Sequence, residues 1–141
     1  MKRHKALAPL SREHHDALIL AQLLKKNTPA YRGLPTAPKE KAVFALGMFT
    51  TTLQQHFIKE EFMLDKVNEY HDEIKNLTLE IVQEHKQLTA TFMSLESGND
   101  LEETLDTLGK ALERHIRKEE RILFPLIQQY CPNEILNAIE L

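Results

Sequence analysis

HFIKEE at residues 56–61 and HIRKEE at residues 115–120 decide how this chain is read. Residues four apart on a helix lie nearly one above the other. His56 with Glu60, and His115 with Glu119, therefore each present an imidazole and a carboxylate to one side. Counting 100° per residue, that side is apolar in both segments. Phe49, Leu53, Met63 and Leu64 accompany the first pair; Leu108, Ala111, Leu112, Ile122, Leu123 and Leu126 accompany the second. The adjacent Glu61, Glu120, Lys59 and Lys118 read as solvated faces.

Working outward, REHHDALILAQLL (12–24) is echoed by QEHKQLTATFMSL (83–95), so the chain reads as a duplicated helical hairpin. Its period is too long and its copies too few for a solenoid. In the first segment His14 falls beside Leu10, Ala17, Leu18 and Ala21. His15 points largely away from them and is the less favoured alternative. In the later segment His85 shares its side with Ile81, Val82, Leu88 and Phe92.

Six ionisable groups (His14, His56, Glu60, His85, His115 and Glu119) thus face the core. A buried carboxylate either neutralises or finds a positive partner, and no Lys or Arg occupies an equivalent inward position. A bound cation compensates all six together. Four His and two Glu are too many for one tetrahedral zinc. They suit two first-row ions bridged by the carboxylates, and the mixed donors favour iron over calcium or magnesium, with zinc or manganese as substitutes. The side chains fill about eight of twelve octahedral positions. An oxo or hydroxo bridge and open positions for O2, NO or peroxide complete the expected pair.

Four long helices are expected, over about residues 11–26, 39–69, 77–96 and 100–130. Ser11 is the expected N-cap of the first, and Asp100 with Glu103 the expected capping box of the last. NTPAYRGLPTAP (27–38) and SGND (97–100) read as loop and turn. Pro125 should kink or end the last regular helix, and a short helix is expected after Pro132. The fold class is all-α: an up-down-up-down four-helix bundle with a short C-terminal helix, one domain over residues 1–141.

Composition narrows the classes. A formal charge of −3 argues against nucleic acid as the main partner. The single cysteine, Cys131, fits a reducing cytoplasm, and no stretch has membrane-spanning length. HExxH, P-loop, GxGxxG and G-x-S-x-G motifs are all missing.

REHHDAL, HFIKEE, QEHKQL and HIRKEERILFP together resemble the hemerythrin-like, or HHE cation-binding, family. The resemblance covers nearly the whole chain. It implies a four-helix bundle with a non-haem di-iron centre whose two Glu bridge the irons. Oxygen-carrying members have a second His where this chain has Thr89, and their last carboxylate follows at five residues rather than four. The pattern here is more similar to the symmetrical centres of proteins that repair iron–sulfur clusters under stress. The expected function is a di-iron protein that handles iron or reacts with O2, NO or peroxide, in sensing, storage or repair. A di-iron NO or peroxide reductase and a metal-free helical interaction module are the alternatives.

Overall fold

A computed structural model describes residues 2–30, 33–95 and 100–141. The described residues contain helices and no strand. Helix α1 (Ala8–Leu24) begins three residues earlier than the sequence suggests, because Pro9 is well tolerated in a first turn. Ser11 is therefore inside the helix and caps nothing.

Helix α2 (Pro38–Met48) runs through a π-helical turn (Phe49–Leu53) into α3 (Gln54–Val67), followed by a 3₁₀ turn (Asn68–Tyr70). The wide turn coincides with three threonines. Thr51 Oγ donates to the Gly47 carbonyl at 2.7 Å, so hydroxyls satisfy carbonyls loosened by the widening.

Helix α4 (Asp72–Met93) starts earlier than expected, since the His71 side chain caps it by accepting from the Glu73 amide. Helix α5 (Leu101–Lys118) makes no side-chain capping bond from Asp100, so the capping box does not form. A second π-helical turn (Glu119–Leu123) leads to α6 (Phe124–Tyr130), with Pro125 in its first turn, and α7 (Asn133–Asn137) follows. The extra residue of that turn rotates Ile122 outward. It is 50% exposed, although even helical spacing puts it inside. Residues 31–32 of the expected loop, residue 96 at the expected end of the third helix and 97–99 of the expected turn lie outside the described residues.

The core has two apolar layers. One holds Ala17, Leu53, Phe57, Leu88, Leu112 and Ile116. The other holds Leu10, Met63, Leu64, Ile81, Leu123 and Phe124. On each of these helices the inward His or Glu lies between a residue of one layer and a residue of the other. A polar stratum is thereby enclosed between two greasy ones.

Helices α1 and α5 pack closely at Gly109, where a Cβ would stand 2.6 Å from the Ala21 carbonyl oxygen and 3.1 Å from Leu24 Cβ. A backbone oxygen cannot rotate away, so Gly109→Ala must force the helices apart. We expect destabilisation of about 1–2 kcal/mol despite alanine's better helix propensity. Gly47→Ala, with nothing within 4 Å of the added methyl, is the control and should be neutral or stabilising. Urea unfolding of both variants measures the difference.

Candidate metal centre

His14 comes from α1, His56 and Glu60 from α3, His85 from α4, His115 from α5, and Glu119 from the π turn after it. All six are buried, and both carboxylates have zero exposure. They form two groups, His14, His56, Glu60 and Glu119, and Glu60, His85, His115 and Glu119. Within each group one ligand-type atom per residue lies within 4.8 Å of the others. The two groups share both carboxylates. His15, by contrast, is exposed.

The imidazoles turn their Nε2 atoms inward. The His14 nitrogen stands 3.2 Å from Glu60 Oε2 and 3.0 Å from Glu119 Oε1. The His56 and His85 nitrogens stand 3.0 Å from opposite oxygens of Glu60. His115 Nε2 lies 3.5 Å from Glu119 Oε2. Neighbouring donors around a first-row ion, with bonds near 2.1 Å, stand roughly 3 Å apart.

The other ring nitrogen, Nδ1, meets a second carboxylate in every case. The partners are Glu120 for His14 at 3.1 Å, Glu13 for His56 at 2.9 Å, Glu61 for His85 at 2.8 Å and Glu84 for His115 at 2.7 Å. Glu61 and Glu120 are thus not merely a solvated face. An ionised carboxylate only accepts, so each Nδ1 carries the hydrogen. In a neutral ring Nε2 is then a lone pair aimed at Glu60 or Glu119, acceptor against acceptor. Among the described residues, His56 Nε2, His115 Nε2 and both Glu119 oxygens are buried without a hydrogen bond. Buried orphan acceptors are costly. A cation resolves the conflict at every one of these atoms, so the donor set fits the group its chemistry implies.

The protonation pattern carries the same tension. Burial would lower the His14 pKa, but the carboxylates of Glu119, Glu120 and Glu60 beside its two ring nitrogens push it up to about 12. His56 and His85 are also raised: Glu60 outweighs the burial of both rings. Glu60 is held well below the usual carboxylate range, because the charge of His56 and the nearby imidazoles of His14 and His85 overcome its desolvation. Glu119 goes the other way, raised by burial and then by repulsion from Glu60.

Packing holds the rings in place. Phe57 stacks on His85 with centroids 4.1 Å apart, and Phe124 stacks on His14 at 5.7 Å. Two clefts flank α4. A cavity of about 240 Å³ between α4 and α5 is walled by Leu88, Leu108 and Ala111 and reaches His115. A cleft of about 390 Å³ between α3 and α4 reaches His85 beside Glu61 and Thr89.

Sequence periodicity locates the inward six but misses Glu13 and Glu84. The available signal is that a Glu immediately precedes His14 and His85 in both halves. His4 and His71 lie outside the cluster, accepting from the Ala6 and Glu73 amides.

An all-helical protein with a buried four-His, two-Glu stratum belongs among proteins built to hold cations. The family model for the hemerythrin HHE cation-binding domain matches residues 5–127, and the chain belongs to that family. No curated protein and no solved structure matches it. Among the described residues no helix is long and apolar enough to cross a membrane.

Proposed function

We propose that the chain is a non-haem di-iron protein in which Glu60 and Glu119 bridge two ions, His14 and His56 serving one and His85 and His115 the other. The observation that carries this reading is the convergence of acceptors. Four Nε2 atoms and two carboxylates meet in one buried stratum, and the described residues place no Lys or Arg within it. On this reading the long helices form one domain, an up-down-up-down four-helix bundle in which α1 and α4 each supply one histidine and the other two sides each supply a histidine and a glutamate.

Two bound irons with an oxo or hydroxo bridge supply redox chemistry and open positions for O2, NO or peroxide. The protein's own part is to orient and to exclude. The four rings fix which atoms point inward, and the apolar layers keep bulk water from the stratum. The clefts beside α4 bring small reactants close to His85 and His115. A role in iron handling, sensing or stress repair fits a centre reached only by small molecules. Zinc and manganese are accepted substitutes for the same donors.

Metal analysis of protein expressed in iron-replete medium tests this, with the ultraviolet–visible spectrum before and after dithionite. About two irons per chain and a reducible oxo-bridged charge-transfer band are expected. Protein that stays folded and metal-free after iron loading would overturn the proposal in favour of an interaction module.

A further inference from the structure

The polar positions of the repeated H-x-x-K-E-E hexapeptide are used alike in its two copies. His56 and Lys59 divide the two oxygens of Glu13, Nδ1 on Oε1 at 2.9 Å and Nζ on Oε2 at 2.9 Å. His115 and Lys118 divide Glu84 in the same way, at 2.7 Å and 2.5 Å. The first glutamate of each copy, Glu60 or Glu119, turns inward. The second turns to another helix, Glu61 to His85 and Glu120 to His14.

These links run in one direction. Glu13 of α1 holds His56 of α3, and Glu61 of α3 holds His85 of α4. Glu84 of α4 then holds His115 of α5, and Glu120, in the turn after α5, returns to His14 of α1. We propose that Glu13, Glu61, Glu84 and Glu120 are positioning residues closing a one-way ring, each fixing the next helix's histidine with Nε2 inward, and that Lys59 and Lys118 lock two links. This rests on the metal-binding reading of the six inward residues.

A carboxylate that receives Nδ1–H prevents the imidazole from turning and sets which nitrogen is free for a cation. The lysine removes the carboxylate's other freedom, since both oxygens are then engaged. Glu120 is steadied differently, accepting from Ser11 Oγ at 2.7 Å and from Arg3 at 3.4 Å. Glu61 is the exception. Its side chain is 44% exposed, faces the α3–α4 cleft, and has no cation partner among the described residues. The ring therefore has two locked links, one braced link and one open link at His85. Water replaces the open link most readily, so its loss should matter least.

The test uses zinc, which is redox-silent, in the full chain. Affinity is measured by chelator competition, and imidazole Nδ1–H protons are followed by ¹⁵N–¹H NMR in metal-free and zinc-loaded protein. Glu84→Ala should lose roughly 10- to 100-fold in zinc affinity and the solvent-protected Nδ1–H of His115. Glu84→Gln, whose amide oxygen still accepts, should recover most of both. Lys118→Met, which leaves the His115 link intact, should lose several-fold and covers the case in which Glu84→Ala does not fold. Glu61→Ala should lose less than Glu84→Ala. A Glu84→Ala protein with parental affinity and a protected His115 Nδ1–H would overturn the ring. The reverse order for Glu61 and Glu84 would overturn the assignment of locks. A parent that takes up no zinc sinks the metal reading instead, while the metal-free Nδ1–H signals still test the ring.

Discussion

Anaerobic loading of the metal-free protein with iron(II) is expected to raise its thermal unfolding midpoint by roughly 10–15 °C. A ligand that binds only the folded state stabilises by about 4 kcal/mol at a thousandfold excess over its dissociation constant, and this chain's size converts each kcal/mol into a few degrees. The gain has a local origin. Without a cation, Glu119 keeps two buried oxygens unpaired, and His56 and His115 each keep an unpaired Nε2. The metal-free protein offsets part of this by protonating rings: His14 is pushed up to about 12, and His56 and His85 are raised by Glu60 against the effect of burial. A group whose folded pKa is raised contributes stability that is full below its unfolded pKa and is lost as pH rises through the folded one. These imidazoliums therefore support the metal-free fold most fully at low pH, and metal must displace their protons. Both effects have one sign, so the shift on loading should be larger at pH 8 than at pH 6. Differential scanning fluorimetry across that range checks it. A midpoint that ignores metal at every pH would show that these six groups are content without an ion.

The inward six are legible because i,i+4 geometry needs no knowledge of where a helix begins or what packs beside it. His56 and Glu60 share a side whether the helix starts at residue 38 or 50. The outer carboxylates are hidden for the complementary reason. Glu13 precedes His14 by one residue, about 100° around the helix, and its partner His56 lies on another segment. No periodicity within α1 encodes that contact. Ser11 is misplaced as a cap because its hydroxyl is engaged with Glu120, an acceptor from the far end of the chain. Ile122 fails for a backbone reason: even spacing cannot foresee a π turn, and one extra residue carries the next side chain outward. Local rules thus suffice to turn these six side chains inward, whereas the contacts of the outer carboxylates depend on how the helices meet.

Glu60 and Glu119 occupy matching places in the two halves, yet their removal should shift the metal-free protein's stability in opposite directions. Glu119→Leu is expected to abolish binding of the ion pair and to stabilise the metal-free chain by about 1–3 kcal/mol. Its oxygens are fully buried and make no hydrogen bond. Burial and the charge of Glu60 raise its pKa. Replacing such a group by an apolar side chain of similar volume removes a desolvation cost and leaves the surrounding Leu123 and Phe124 layer filled. Glu60→Leu removes the carboxylate that His14, His56 and His85 all face, leaving several buried imidazoles without their counter-charge. Breaking a buried ionic cluster from one side costs about 3–5 kcal/mol, and that variant should be clearly less stable. Urea unfolding in the presence of a chelator, with metal uptake measured in parallel, separates the two. If Glu119→Leu proves less stable than the parent, Glu119 is part of the fold's own hydrogen-bonding scheme. If it is more stable and no longer binds metal, the chain is keeping a buried acid at the expense of its stability, as a resident cation would require.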